Sequence, residues 1–474
     1  MINKQEVMDF AREFGLSPDV IEKDYVLGWM LAGISADPAI GTSWVFKGGT
    51  CLKKCYFETY RFSEDLDFTL TDPAHLDEAF LLATFTTIAQ WIYDRSGIEI
   101  PADTIRFEPF KNPRGNPSVQ GRVGYRGPTG RLGNLPRIKL DLTNDEVLVL
   151  NPTMRAVHHP YSDRSLDEMH VMCYAFEEVF AEKIRALAER GRPRDLYDVI
   201  HLYRHDELQP DRLLVVDTLR AKCEFKGISV PTLSSINKDR FVELEADWVA
   251  MLAHQLPALP PFEQFWSELP AVFDWLLDNA VRTILPGISG SISEDSTLDL
   301  TWRPPAMTFA WHTSTPLELI RFAAANRLCV DLSYGGKQRL IEPYSLRRTK
   351  DGNLLLYAVK HQTGEIRAYR VDRIHGAQAT DTVFVPRFVI ELTPVGEMSA
   401  PSVHRQQPSS TLSQLHLPSG RKSRVAHGPL HVYECPYCHK TFNRSLHNSS
   451  LKKHNDKSGY PCPGRTGVYV DTKY

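Results

Sequence analysis

The chain has 474 residues, of which 42% are hydrophobic and 10% aromatic, so two or three globular domains are expected and a disordered chain is excluded. No run approaches the roughly 18 apolar residues of a membrane helix, and the charged N-terminus lacks the apolar core of a signal peptide, so we predict a cytoplasmic protein without membrane contact. The net charge of -3 is uneven, because residues 396–474 carry +7; this basic tail either has an anionic partner or is simply solvated.

Alternating strands and helices are predicted in the first part of the chain. Two helices cover residues 1–35, the second starting at Ser17-Pro18. The further elements, in chain order, are a strand at 44–46, a short helix to Tyr56, a strand at 65–70, a helix at 76–96, a strand at 137–143, and helices at 173–190, 194–204 and onward to about 280. This order predicts an α+β fold, with a mixed sheet followed by a helical half.

The second part of the chain is predicted to be rich in β-structure. Gly335-Gly336, Asp351-Gly352 and Thr363-Gly364 are hairpin signals that follow a helix after Pro316. The predicted boundaries are a first domain at 1–280, a linker at 281–314, a β domain at 315–394, a flexible linker at 395–430 and a metal-binding module at 431–474.

A cluster of polar residues in the strand near position 66 carries the chemistry. In Arg61-x-Ser63-x-Asp65-x-Asp67 the strand period of two places all four side chains on one face. Two carboxylates at i and i+2 are hard oxygen ligands suited to Mg²⁺. Asp141, between apolar neighbours in another strand, has the parity to supply a third carboxylate. Three such acids suit two metal ions.

A glycine turn precedes this strand. Gly48-Gly49-Thr50 lies between a strand and a helix, where free backbone N–H groups can bind phosphate, and Arg61 and Ser63 are expected to contact the same triphosphate. A Gly-Gly turn alone is usually only a turn, and Asp-x-Asp alone is usually a solvated strand face. The two together, about 15 residues apart, favour a nucleotide site.

Two long motifs resemble the nucleotidyltransferase toxins of the AbiEii/AbiGii abortive-infection family. They are FKGGTCLKKCYFETYRFSEDLDFTL at 46–70 and FEEVFAEKIRALAERGRPRDLYDVIHL at 176–202, and IEKDYVLGWML at 21–31 is also similar. The resemblance covers about residues 1–280. It implies a nucleotidyltransferase-superfamily fold, transfer of a nucleoside monophosphate from an NTP to RNA (tRNA 3′ ends above all), a role in phage defence or a toxin–antitoxin pair, and an antitoxin encoded nearby.

The resemblance also implies roles for individual residues. Gly48, Gly49 and Thr50 fall on the phosphate loop, and Asp65 and Asp67 on the metal pair. The later motif contains the remaining catalytic candidates, which are Lys183, Arg194, Asp195 and Asp198. The loop amides, Arg61 and Lys183 are expected to bind the pyrophosphate as it leaves. Without the resemblance, Arg194-Asp195-x-x-Asp198 is more often a helix cap with surface ion pairs.

A basic stretch follows in residues 110–137. It contains no acid and has six cations, Lys111, Arg114, Arg122, Arg126, Arg131 and Arg137. Its glycines would let a hairpin approach an RNA backbone, and the equally weighted alternative is an ordinary solvated hairpin.

Residues 315–390 resemble a WYL domain, which implies a small Sm-like β barrel that senses nucleic acid or a nucleotide. The matching runs are PLELIRFAAANRLCVDLSYGGKQRLIEPYSLRRTKDGNLLLYAVKH and GEIRAYRVDRIHGA, although the name-giving triplet is Leu354-Leu355-Leu356 here. The candidates for a basic ligand cleft are Tyr344, Arg347, Arg367 and Arg373; the alternative for them is solubilising surface charge.

The tail contains a metal-ligand pattern, Cys435-x₂-Cys438-x₁₅-His454-x₇-Cys462, typical of a structural Zn²⁺ site, in which His447 could replace His454. The other cysteines are expected to be single buried thiols. Three functions remain open: an RNA-directed nucleotidyltransferase toxin, a nucleic-acid-sensing regulator with a degenerate enzyme scaffold, and an enzyme that modifies protein.

Overall fold

The structure is a computed structural model that describes residues 1–131, 133–163, 169–204, 210–236, 238–278, 285–288, 298–299, 301–302, 317–392, 430–436, 438, 440–444, 449–455, 461–463, 466 and 468–473. They belong to two compact units, Met1–Val403 and His404–Tyr474, each with a hydrophobic core of its own. The two predicted linkers lie mostly outside the described residues.

The first unit contains the helices, and some of them begin and end at capping residues. The helices are α1 (Lys4–Phe14), α2 (Pro18–Ala36), α3 (Gly48–Cys51), α4 (Glu78–Ser96), α5 (Phe176–Arg190), α6 (Pro193–Arg204), α7 (Arg212–Lys226), α8 (Lys238–Leu252), α9 (Phe262–Leu276) and α10 (Leu317–Ala325). In α1 the Asn3 side chain accepts a hydrogen bond from the Glu6 amide, and Gly15 ends the helix at φ 65°. Asp77 caps α4 in the same way. These helices match the predicted ones to within a few residues.

A seven-stranded mixed sheet lies among these helices. Its strands are β1 (Trp44–Lys47), β2 (Asp65–Leu70), β3 (Arg106–Lys111), β4 (Pro117–Gly124), β5 (Arg137–Thr143), β6 (Thr153–Ala156) and β7 (His170–Cys173), in the spatial order β3-β4-β5-β2-β1-β7-β6. The strand β2 runs antiparallel to β1 and parallel to β5. In β5, Ile138, Leu140 and Leu142 are buried on one face, so its polar residues lie on the other. The predicted α+β fold is confirmed.

A second, antiparallel sheet follows α10. It consists of β8 (Leu328–Tyr334), β9 (Lys337–Arg348), β10 (Leu354–Lys360), β11 (Ile366–Arg370) and β12 (Ile374–Val383), in the order β11-β10-β9-β8-β12. Its turns use Gly335, Gly336, Gly352 and Gly364 at positive φ, as the hairpin signals predicted. Among the described residues β11 and β12 are joined by a 3₁₀ turn and do not pair, so the sheet is open where a closed barrel was expected.

The second unit contains two small sheets. A three-stranded sheet has the order β14 (Thr441–Arg444), β13 (Leu430–Glu434) and β17 (Val468–Lys473), and β15 (His454–Asn455) pairs with β16 (Pro461–Cys462). Across both units, none of the helices that the structure describes is long and apolar enough to cross a membrane.

Candidate active site

A polar row crosses four neighbouring strands of the mixed sheet. The register pairs Asp67 on β2 with Lys47 on β1 and with Asp141 on β5, and it pairs Asp141 with Gln120 on β4. Paired residues point to the same face, so these four side chains lie side by side. Asp65 is two residues from Asp67 on that face. The structure therefore brings the three predicted carboxylates together, and all three are partly exposed.

The glycine turn lies directly against these acids. Gly48 has φ +81°, and a Cβ built there would lie 2.1 Å from Asp67 Oδ2. A Cβ on Gly49 would lie 2.5 Å from Arg61 Nη2 and 3.1 Å from Ser63 Oγ. Only glycine fits at these positions, because any side chain would displace polar groups of the site. The Thr50 hydroxyl donates to the Asp65 carbonyl at 2.5 Å, which ties the turn to β2.

Burial and neighbouring negative charge raise the pKa values of acids in the site. Burial raises the pKa of Asp67 to about 6, and Asp141 raises it further, while Lys47 opposes the shift. Burial also raises the pKa of Asp65. Close carboxylates with raised pKa values are expected where a cation is meant to bind, because the cation supplies the missing counter-charge. The donor set is entirely oxygen, and it therefore fits a hard divalent metal.

A buried ion-pair network lies behind the turn. Asp198 accepts hydrogen bonds from Arg61 Nε at 2.7 Å and Nη2 at 2.8 Å, and it pairs with Lys183 Nζ at 2.8 Å. Tyr60 donates to the same carboxylate, and the third guanidinium nitrogen of Arg61 donates to Gln255 at 2.9 Å. Burial raises the pKa of Asp198, but Arg61 and Lys183 outweigh it and hold that pKa well below its usual range.

This network changes the roles expected for two cations. Arg61 and Lys183 were expected to meet the leaving pyrophosphate, but both are buried and engaged by Asp198. A buried carboxylate needs such counter-charges, so their positions indicate that they hold the glycine turn and α6 in place. Asp195 is also buried, and Arg190 binds it through two hydrogen bonds of 2.8 Å.

Two other cations lie at the site, of which Arg194 was predicted and Lys47 was not. Arg194 is partly exposed, and Asp65 and Asp198 interact with it electrostatically. Lys47 was missed, although it directly precedes the glycine turn; its Nζ lies 3.7 Å from Glu146 and 3.5 Å from Glu182. Burial lowers the pKa of Lys47, but these acids outweigh it and keep the side chain cationic beside Asp67.

The predicted metal ligands of the tail converge in the second unit. The ligand atoms of Cys435, Cys438, His454 and Cys462 all lie within 4.8 Å of one another. Cys435 Sγ is 3.6 Å from Cys462 Sγ, and Cys438 Sγ is 3.3 Å from His454 Nε2. His454 Nδ1 lies 2.9 Å from the Lys452 carbonyl, and this contact leaves Nε2 facing the Cys438 sulfur. His447 lies outside the described residues.

A second thiol cluster was not predicted. Cys51, Cys55 and Cys173 are buried, as expected, but their sulfur atoms also lie within 4.8 Å of one another. Burial raises the pKa of Cys51 and of Cys55. Only the pairing of β7 with β1 brings Cys173 beside the helix that follows the glycine turn.

The ligand cleft expected in the second sheet does not form from the four predicted residues. Tyr344 is completely buried, and its hydroxyl lies 3.2 Å from Glu342 and accepts from the Arg387 amide. In the strand register, Arg347 is opposite Leu355 and Arg367 is opposite Ala358. Leu355 and Ala358 are three residues apart on β10, so the two arginines lie on opposite faces of the sheet. Arg367 and Arg373 are exposed.

Comparisons with known proteins agree with this architecture. A family model described as "Nucleotidyl transferase AbiEii toxin, Type IV TA system" matches residues 29–279, more than half of the chain, and a WYL domain model matches residues 316–379. No curated protein matches. Similar solved structures include MenT4, a nucleotidyltransferase toxin from Mycobacterium tuberculosis (18% identity, TM-score 0.39, covering 59% of this chain and 90% of that one). Another is JHP933 from Helicobacter pylori (17% identity, TM-score 0.36, covering 56% and 94%).

Proposed function

Because the chain belongs to the AbiEii family of type IV toxin–antitoxin nucleotidyltransferases and carries a WYL domain, we propose that it transfers a nucleoside monophosphate from an NTP to the 3′ end of an RNA, with tRNA as the expected acceptor. The observation that carries this proposal is the contact between the acids and the glycine turn. A side chain at position 48 would overlap Asp67, so the turn approaches the acids because Gly48 has none. An antitoxin partner and a role in phage defence belong to the same proposal.

The proposed reaction needs little covalent chemistry from the protein. Asp65, Asp67 and Asp141 would hold Mg²⁺, which neutralises the triphosphate and lowers the pKa of the attacking hydroxyl. The backbone N–H groups of residues 48–50 bind the phosphates and Ser63 adds a hydrogen bond, so that the α-phosphate is in line with the acceptor. The 3′-oxygen forms the new bond to this phosphorus as pyrophosphate leaves.

The raised pKa of Asp67 predicts the pH dependence of metal binding. Protons and Mg²⁺ compete for this carboxylate, whose pKa is about 6. The affinity for Mg²⁺ should change little above pH 7 and fall about tenfold per pH unit below pH 6, where one proton must be displaced. Calorimetric titration with Mg²⁺ at several pH values measures this slope. An affinity that stays constant down to pH 5 contradicts the assignment of Asp67 as a ligand.

The function itself is tested by incubating the full chain with each labelled NTP, Mg²⁺ and total RNA or a cell extract. We expect label from one or more NTPs in RNA, concentrated in the tRNA fraction, and released pyrophosphate. Label in protein would instead identify a protein-modifying enzyme. No transfer with any NTP and acceptor would favour the regulator with a degenerate catalytic scaffold.

We further propose that the tail binds Zn²⁺. Three thiolates and one imidazole are soft and borderline ligands that suit this ion, and four of them complete a tetrahedron without an open position. Elemental analysis should find zinc in the purified chain, and Cys438→Ser should lose one equivalent per chain. An unchanged zinc content in that variant would argue against the site.

The organisation of the chain is also a proposal. We propose a catalytic domain at 1–280, a WYL domain at 315–394 that binds nucleic acid or a nucleotide, and a zinc module at 431–474. Because Tyr344 is buried, Arg367 and Arg373 remain the candidates for contact with a ligand, on the exposed surface of the WYL domain.

A further inference from the structure

A row of basic residues runs beside the polar row of Lys47, Asp67, Asp141 and Gln120, on the same face of the mixed sheet. Asp65 pairs with Lys139 on β5, Lys139 with Arg122 on β4, and Arg122 with Arg106 on β3. Lys139 is two residues from Asp141, and Arg122 is two residues from Gln120, so their side chains point to the same face as the polar row. We call Lys139, Arg122 and Arg106 the basic row.

Two members of the basic row form no ion pair among the described residues, although Lys139 lies beside Asp65 and opposes the rise in the pKa of that carboxyl. Lys139 and Arg106 are exposed, and within the part of the chain that the structure describes no carboxylate lies at ion-pair distance from either. Arg122 is half-buried, and it is held at 3.2 Å from Glu108 and donates to Gln120 at 2.8 Å. Glu108 is the one acid that the register places directly beside the row on β3, so the row keeps a positive excess.

The structure separates this row from other cations of the glycine-rich basic stretch. Arg114 pairs with Asp145 at 3.3 Å, Arg126 with Glu99 at 3.0 Å and Arg131 with Asp19 at 3.3 Å. These three therefore have acidic neighbours of their own. Arg122 comes from the same stretch but lies on the sheet face that carries the acids, and Lys139 and Arg106 join it from outside the stretch.

We propose that the basic row binds the sugar–phosphate backbone of the acceptor strand immediately 5′ of its reacting hydroxyl. Three observations converge on this occupant: the row begins beside Asp65, it is positive, and it leads to the β3 edge of the described sheet. An acceptor strand whose 3′ end lies at the acids must extend away from them across the surface. Exposed cations attract its phosphates independently of its sequence. At about 4.8 Å between strands, the row reaches about 15 Å from Asp65, enough to contact more than one phosphate.

This proposal rests on the proposed function, and it is tested with the full chain carrying Lys139→Glu or Arg106→Glu. The matched control is Arg220→Glu, which makes the same charge reversal at an exposed arginine of α7, outside the basic stretch. We expect the row variants to raise the KM for RNA about 10- to 100-fold. Arg106→Glu should leave the KM for the NTP within about twofold, because β3 is separated from Asp65 on β2 by two strands. The control should resemble the unmodified chain.

Direct binding separates failure of the row from failure of the proposed function. A labelled short oligoribonucleotide should bind the unmodified chain with strong salt dependence, and each row variant should lower the slope of log affinity against log salt by about one. If the unmodified chain transfers nothing to RNA but these binding changes appear, the proposed function fails and the row stands. If the row variants bind RNA as well as the control does, the basic row does not bind RNA. This conclusion holds whether or not the chain transfers a nucleotide.

Discussion

Asp67→Asn is expected to lower nucleotidyl transfer by about 1000-fold or more in a chain that remains folded. The amide is nearly the same size as the carboxylate, so it still fits over Gly48, but it removes one negative charge from the pair that Asp67 forms with Asp141. The cation then loses a charged oxygen ligand at the centre of the row. Asp65→Ala should also abolish transfer.

The stability of the Asp67→Asn variant should be equal to or higher than that of the unmodified chain without metal. The raised pKa of Asp67 means that the folded protein holds the ionised form at a cost, and the neutral amide avoids that cost above pH 6. A thermal melt and the labelled-NTP assay measure the two effects together. Asp103→Asn, which removes an exposed acid, is the control and should leave both unchanged. A folded Asp67→Asn chain that transfers nucleotide at the unmodified rate would contradict the assignment of the site.

Arg321→Leu is expected to lower the free energy of unfolding by about 3–5 kcal/mol, because it leaves buried carboxylates without their counter-charge. Arg321 lies on α10, the first helix of the WYL domain, and its guanidinium is 3.4 Å from Glu58 and 3.3 Å from Glu318. All three side chains are at most 8% exposed. The leucine keeps most of the volume but removes the charge and the hydrogen bond that Arg321 Nε donates to the Leu392 carbonyl at 2.9 Å.

This contact connects the WYL domain to the catalytic site. Glu318 accepts a hydrogen bond from Thr59 at 2.7 Å, and Arg61, two residues later, holds Asp198. On the other side, Tyr197, next to Asp198 on α6, donates to Asn326 just after α10 at 3.0 Å. The helix therefore contacts both chain segments that form the Arg61–Asp198 pair. We expect Arg321→Leu to lower the transfer rate as well as stability, because the segment behind the glycine turn loses its support.

The destabilisation by Arg321→Leu should depend on pH with a defined sign. Burial raises the pKa of Glu58 to about 7, and Arg321 opposes that shift. Without the arginine the carboxyl is more easily protonated, so the loss of stability should be largest above pH 7 and shrink as the pH falls through 7. Urea unfolding at pH 6 and 8 measures this difference. Arg373→Leu, at an exposed arginine of the same domain, should change stability by less than about 0.5 kcal/mol. An Arg321→Leu chain as stable as this control at pH 8 would contradict the coupling.

Residues that are close together in the chain specify the elements and the local chemistry. The period of two in β2 places Asp65 and Asp67 on one face, and the two glycines that begin α3 place backbone amides of a first helical turn there. The same holds for the capped helices and for the spacing of the tail ligands, whose convergence follows the predicted set. The family motifs carried the assignment to the AbiEii nucleotidyltransferases, which the family model supports.

Contacts between distant segments of the fold determine which residues share a site. Strand register placed Asp141 beside Asp67 and aligned the basic row with Asp65, and no spacing in the sequence specifies that register. Burial explains the other differences: Asp198 pairs with both Arg61 and Lys183, and Tyr344 lies inside the core of the WYL domain. A charged or aromatic residue looks the same in a sequence whether it faces solvent or an internal partner, because its environment is set by other segments, 137 residues away for Arg61 and Asp198 and 43 for Tyr344 and Arg387.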